Sequence, residues 1–447
     1  MEVVPFVHEG LGNSSYLVGL PTGEALLTDP DRSVGRYLQT AEARGWRITT
    51  VLETHLHADF ISGSRELASV AGARLLIPSG AHAGFGHVSL EAGERVHVDG
   101  LEVEAIASPG HTPEHLSYVL RNAAAPPALF SGGSLIVGGA ARTDLIAPES
   151  TDRLTRAQHH TLRHAFEALP DATLLFPTHG AGSFCSTGNS NGERTSTLGN
   201  ERANNPLLAM ADEDEFARWF PTTFPAAPSY FSRLREVNQA GPRLRREIPS
   251  PPALSPAEVE RVRSLGALIV DTRSAAEYAA GHIPGALSNP FRDAFATWLG
   301  WLVAPETPLL FVVGPEGTDR VVDESLLVGC ERLIGWLDGG VPAWERAGLP
   351  TVATAFVEGN AARRAIRDGA AVLDVREAEE YAAGHFDRAI HVPLGRLQAD
   401  AVVAPRDRPV VIHCGHGERA VSAASILERA GFEQLIVLSD GPEALSE

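Results

Sequence analysis

Four histidines and an aspartate of this chain stand where apolar runs stop. Thr54-His55-Leu56-His57-Ala58-Asp59 follows Val51-Leu52, His111 sits in Ser108-Pro109-Gly110-His111-Thr112, and His179 sits in Pro177-Thr178-His179-Gly180. A single histidine on an apolar strand is more often held by a backbone partner than by a metal. Imidazoles delivered from several strand ends to one rim are a different matter, because convergent nitrogens are what a first-row divalent metal needs. A thiol is the second candidate. The β-rich run Val410-Val411-Ile412-His413 stops at Cys414, and Gly415-His416-Gly417-Glu418-Arg419 leads into a helical pattern from Ala420 to Ala430. A cysteine between a strand end and a helix N-terminus faces backbone N–H groups that favour its thiolate. Arg419 is placed to tie that loop or to bind an anionic sulfur group.

The elements that must position these groups follow from the apolar pattern. The first ~200 residues alternate short apolar runs (NSSYLVGL, EALLTD, ITTVLETH, ARLLIPS, LEVEAIAS, HLSYVL, PALFSGG, ATLLFPTH) with turn residues, and helical stretches intervene at Gly63 to Ala71 and Arg153 to Ala168. Many strands with few helices suit two stacked sheets covered by helices. From Asn205 to Pro256 an acidic helix candidate and the proline runs PTTFPAAP and REIPSPPALSP predict a helical spacer and linker over 206–256. Beyond it, LIVDTRSAAEYAAGHIPGALSNPF from Leu268 matches AVLDVREAEEYAAGHFDRAIHVPL from Ala371, with Asp271 falling on Asp374. Each copy is a buried strand ending in Asp-x-Arg, a short helix, and a Gly-His turn, so two α/β domains in tandem are expected over 257–352 and 357–447.

Residues 1–205 resemble the metallo-β-lactamase superfamily, and THLHADFISGSREL, SPGHTPEH, GGAARTDL and THGAGSFC are most similar to the persulfide dioxygenases found fused to rhodanese domains. The fold class implied is α/β: an αββα sandwich followed by two rhodanese-like domains. The resemblance implies one iron(II), with zinc also able to bind such ligands, held by two histidines and an aspartate, and oxidation of a thiol persulfide to sulfite. Carried over, His55 and His111 are ligands, but Gly133 stands at the aspartate position in Phe130-Ser131-Gly132-Gly133-Ser134-Leu135. Either the metal has been lost, or His57 completes a face of His55, His57 and His111; the second reading is adopted as the expectation. Two-metal hydrolases of the superfamily carry a histidine after the Asp of the first motif, where Phe60 stands here. Asp59 is therefore expected to orient a ligand or a bound water during catalysis, and Arg142 to pair with Asp144.

The Cys414-x-x-x-x-Arg419 loop, with Asp374-x-Arg376 and Gly384-His385, resembles the rhodanese active loop, which implies that Cys414 carries sulfane sulfur and Arg419 assists. Glu418 predicts that a doubly anionic donor is disfavoured relative to a persulfide. The first copy has Gly314 at the cysteine position and is expected to be structural. Rival readings are a metal-dependent thioester hydrolase with an appended rhodanese, and a sulfur relay whose first two domains are scaffold.

The charge pattern excludes some partners. A net charge of -19 without a single lysine leaves no basic stripe for nucleic acid or anionic lipid. No apolar run reaches the ~18 residues of a membrane span, and three widely spaced cysteines suit a reducing compartment. The expected setting is the cytoplasm. The expected substrate is a persulfide of glutathione, coenzyme A or a similar thiol, with homo-oligomer formation left open.

Overall fold

The computed structural model describes residues 1–122, 125–188, 192–397 and 404–445. These form two compact units, Met1–Ile248 with Leu326–Gly329, and Pro249–Ser325 with Cys330–Glu447. In the first unit, one six-stranded sheet runs in sequence order through Glu2–His8, Asn13–Gly19, Glu24–Thr28, Arg47–Leu52, Arg74–Pro78 and Val88–Leu90. The second runs Ser196–Thr197, Leu174–Pro177, Ala128–Gly132, Leu116–Arg121, Leu101–Ala107 and Arg95–Val98. Their facing sides meet in a core of Tyr16, Leu26, Leu52 and Leu76 from one sheet and Val103, Leu116, Tyr118 and Phe130 from the other. Alternation along Leu101–Ala107, buried at every second residue, shows why such a strand settles with one face inward.

Helices cover both outer faces. Tyr37, Ala41 and Leu67, from helices Val34–Ala43 and Ser64–Ala71, pack on Leu17, Leu27 and Val51. Leu162, Phe166, Phe216 and Phe220 cover Val119, Leu129 and Leu175. The unit is thus the expected four-layer sandwich. The segment expected to be a spacer belongs to it as far as Ile248. Helices Glu213–Trp219 and Phe231–Ala240 bury Phe216, Phe231 and Leu234, and Asn238 Nδ2 donates at 2.8 Å to both His57 O and Phe60 O. Burying those apolar side chains outweighs the loop-forming tendency of the prolines between them. Past Ile248 the chain enters the second unit, whose sheet it joins at Ala253–Leu254.

The internal repeat is matched by geometry in the second unit. Each copy has a five-stranded sheet with parallel pairing throughout. The first runs Ala253–Leu254, Leu333–Leu337, Leu309–Val312, Leu268–Asp271, Leu287–Ser288, and the second Ala355–Val357, Leu435–Leu438, Val410–His413, Ala371–Asp374, Ile390–His391. In both, the Asp-x-Arg strand end folds back on itself. Arg273 and Arg376 each grip the aspartate two residues earlier at 2.6 Å and reach the carbonyl of Gly281 or Gly384. No helix among the described residues is long and apolar enough to cross a membrane.

Candidate metal centre and cysteine loop

Strand ends from both sheets deliver the histidines to one edge of the sandwich. His55, His57 and Asp59 follow Arg47–Leu52, His111 follows Leu101–Ala107, and His179 follows Leu174–Pro177. All five are at most 2% exposed. The loops are pinned to one another: Leu116 N donates to Thr54 O at 2.9 Å, Thr178 N to Gly132 O at 3.0 Å, and Asn13 bridges to His179.

The hydrogen bonds behind three of the rings fix their tautomers. Thr54 Oγ1 donates to Asp29 Oδ2 at 2.8 Å, so it accepts from His55 Nδ1–H at 2.8 Å. Asn13 Nδ2 donates to Asp59 Oδ2 at 2.9 Å, which turns its Oδ1 toward His179 Nδ1–H at 2.9 Å. His111 Nδ1–H donates to Arg142 O at 2.6 Å. Each ring therefore presents a bare Nε2 lone pair, and the ligand atoms of His55, His111 and His179 lie within 4.8 Å of one another. Burial, reinforced by the surrounding imidazoles, holds His55 and His111 well below the ordinary histidine pKa, so neither supplies a proton to the gap. His55 Nε2 and His179 Nε2 nonetheless face each other at 3.3 Å. Two lone pairs at that distance repel unless a cation sits between them, and two imidazole nitrogens on one tetrahedral metal are themselves about 3.3 Å apart. The residues present fit a metal.

In the second unit, Cys414 ends strand Val410–His413 and is 1% exposed, with Gly417 N donating to its Sγ at 3.2 Å. Helix Glu418–Arg429 starts directly after it. Arg419 is not directed at the sulfur: it donates twice to Glu380, at 2.6 and 2.7 Å. Of its two expected roles, the structure shows loop-tying. In the first copy, Gly314 N is held by Glu316 Oε1 at 3.1 Å, and a Cβ at Gly314 would lie 2.7 Å from the same carboxylate. The side chain of Glu316 thus fills the space beside the position of the missing nucleophile.

Family models match the metallo-beta-lactamase superfamily over residues 8–179 and the rhodanese-like domain over residues 255–347 and 359–447. The persulfide dioxygenase of Homo sapiens is 30% identical over 205 residues, 45% of this chain and 73% of that protein. The chain belongs to the metallo-beta-lactamase superfamily. A hydroxyacylglutathione hydrolase from Polaromonas sp. is 36% identical over 172 residues, 37% of this chain and 62% of that protein. The chain spans less than two thirds of the length of the first hydrolases it matches. A metallo-beta-lactamase structure from Staphylococcus aureus superposes with a TM-score of 0.67 at 28% identity, covering 75% of this chain and 98% of that one.

Within the metallo-beta-lactamase domain, the structure gathers His55 and His111 with His179 rather than with His57. His57 turns its Nε2 to Glu53 Oε2 at 3.0 Å and Asp29 Oδ1 at 3.4 Å, while Phe60 stacks on its ring at 4.3 Å. Burial opposes charge on His57, but Asp29 and Glu53 outweigh it and push its pKa up to about 10. Its Nδ1 has no partner, nor has Asp59 Oδ1, and His57, Asp59 and His179 form a second, overlapping group. Removing His57 leaves two buried carboxylates facing each other. We expect His57→Ala to destabilise the metal-free domain by about 3–5 kcal/mol, read from chemical denaturation.

Asp59 contacts Asn13 and His179; burial pushes its pKa up, but His179, His57 and the Asn13 hydrogen bond together hold it below the usual carboxylate range, so the carboxylate stays ionised. Arg142 pairs with Asp144 at 2.7 and 2.8 Å, and the pairing steadies the carbonyl that accepts from His111. His115 is one residue that motif reading passed over. It stacks on His55 at 4.9 Å, accepts from Gly133 N at 3.0 Å, and has a pKa pushed down to about 3 by burial. Its place four residues after His111 in SPGHTPEH was the available signal. Cys185 is fully buried and Cys330 nearly so; burial, then the charge of Asp59, drives the Cys185 thiol pKa well above normal.

Gly133 is closely enclosed. A Cβ there would lie 2.6 Å from His111 Cδ2 and 3.0 Å from Ala141 Cβ. Gly133→Asp is expected to displace the His111 ring and to lower metal affinity, although it restores the family's carboxylate. A metal titration in which Gly133→Asp binds more tightly than wild type would refute this.

Proposed function

We propose that the metallo-beta-lactamase domain is a mononuclear iron(II) dioxygenase acting on a low-molecular-weight thiol persulfide, and that the last rhodanese copy is a sulfurtransferase working through Cys414. The observation that carries the reading is the ligand set. Three neutral imidazole nitrogens converge at His55, His111 and His179, while Phe60 and Gly133 replace groups that a two-metal hydrolase would use. Three neutral donors suit a divalent ion with coordination positions left for small ligands. Iron(II), when bound, supplies the redox chemistry that dioxygen requires and zinc does not.

The chain's own part is orientation. Thr54, Asn13 and the Arg142 carbonyl hold the three rings as Nε2 donors, Asp29 and Asp59 anchor the first two of these, and Phe60 blocks a position for a further ligand. The overall reaction balances as persulfide plus dioxygen plus water giving thiol plus sulfite, with two protons beyond the thiol's own released as sulfite ionises. Glutathione and coenzyme A persulfides are the proposed carriers. The persulfide dioxygenase relative supports the chemistry, and the fold, the resemblance and the thiol-type relatives support a thiol substrate.

Protein loaded anaerobically with iron(II) should consume oxygen and release sulfite from glutathione persulfide, at about one iron per chain. Oxygen-inert protein would defeat the proposal. A second reading, a metal-dependent thioester hydrolase, is favoured by the hydrolase relatives and by the unpartnered His57 Nδ1 and Asp59 Oδ1 beside His179. Oxygen-independent thiol release from an acylglutathione would select it.

A further inference from the structure

The two copies of the repeat differ at the turn that carries their Gly-His pair. In the first copy the chain leaves helix Gly340–Arg346 and runs back across that turn. His282 N donates to Val352 O and Val352 N to His282 O, both at 2.9 Å, and Thr354 N donates to Ala279 O at 2.9 Å. The fully buried Trp344 anchors this cover, its Nε1 donating to Pro350 O at 2.9 Å. Leu349–Thr354 is thus an extended peptide seated on the domain by its main chain.

The second copy has the seat without the cover. The offset that places Asp271 on Asp374 places Ala279 on Ala382 and His282 on His385; the first of each pair is buried and the second exposed. Among the described residues, neither N nor O of His385 has a backbone partner. Leu254 pairs with Leu337 and Val357 with Leu438, which sets Leu445 on Trp344, a smaller side chain with no N–H to hold a cover. An open cavity of about 650 Å³ lies there, with Ile366, Phe386 and Leu445 as its apolar lining.

The charge of this seat is its own. Arg363 and Arg367 line it where the first copy has Glu260 and Ser264, against a single acid, Asp387. Arg363 donates only to neutral acceptors, Ala444 O and Asn360 Oδ1, and among the described residues neither arginine forms an ion pair.

We propose that the seat binds an extended, acidic segment of a partner protein. That segment pairs its main chain with His385 as Val352 does with His282, lays an apolar side chain on Phe386 and Leu445, and brings a carboxylate to Arg363 and Arg367. Main-chain pairing supplies affinity and the cavity supplies selectivity, while a guanidinium offers a carboxylate two parallel N–H groups. A net charge of -19 works against a second copy of this chain as the occupant. Neither Cys414 nor its loop lines the cavity, so the proposal stands apart from the reading of sulfur transfer.

The test uses the full chain and two labelled peptides. One has the sequence of Leu349–Thr354; the other, Leu-Pro-Glu-Val-Ala-Glu, has glutamate in place of both threonines. In fluorescence anisotropy the acidic peptide should bind at one per chain, about ten-fold more tightly than the neutral one, as one charge-assisted contact allows. Arg367→Gln should remove that advantage, and Arg364→Gln, at an exposed arginine of the same helix outside the cavity, should leave it intact. Methylating the valine amide nitrogen, the donor to His385 O, should abolish binding without any change to the protein. Melting curves verify that both variants fold. No binding to the full chain, or binding of the acidic peptide that is indifferent to either Arg367→Gln or the methyl group, would overturn the proposal. Self-association of the chain that the acidic peptide disperses would give the seat to a second copy and overturn its assignment to a partner.

Discussion

Protein carrying His179→Ala is expected to lose its metal. His179 closes the group with His55 and His111, and changes even to residues that only orient a ligand lower metal affinity about 10–100-fold. Removing one of three ligands should therefore cost at least about 100-fold. After anaerobic iron(II) loading and desalting, His179→Ala should retain almost no iron, and persulfide-dependent oxygen uptake should vanish with it. His57→Ala is the necessary partner experiment. Its Nε2 is directed at Glu53 and Asp29, so the variant should be less stable yet still bind iron. The opposite pattern, iron lost with His57 and kept without His179, would return His57 to the ligand set and remove His179 from it.

Cys414→Ser should abolish sulfur transfer, by at least about a thousand-fold, because the serine hydroxyl does not form the persulfide on which the reaction depends. The iron content and oxygen uptake of the first unit should be unchanged. Incubation with a sulfur donor should add one sulfur atom to wild type, detectable by mass, and none to the variant. If the variant still forms a persulfide, Cys185 or Cys330 must carry it, although the Cys185 thiol is held well above its ordinary pKa by burial and by Asp59.

Much of this was legible in the chain itself. The four layers follow from alternating apolar runs, and the tandem sheets follow from the repeated Asp-x-Arg and Gly-His segments. What the sequence concealed depends on contacts between distant segments. Choosing between His57 and His179 requires knowing that Asn13, from an early strand, reaches across to His179 while Glu53 turns His57 aside. Arg419 reads as an anion binder until Glu380 is found beside it. The stretch 206–248 looked like a spacer because its prolines mark loops. Only the packing of Phe216, Phe220 and Leu234 shows that the intervening turns fold down.

That last segment has a practical consequence. Asn238 holds the two carbonyls of the loop that carries His57 and Phe60. A shortened chain stopping at residue 205 would expose the apolar surface beneath the missing helices and free the histidine loop, inviting aggregation. One stopping at residue 248 would keep the helices and the Asn238 contacts but lose Leu326–Gly329, whose Leu327 carbonyl accepts from Ile61 N beside that loop, so a shortened first unit must supply a cover for it.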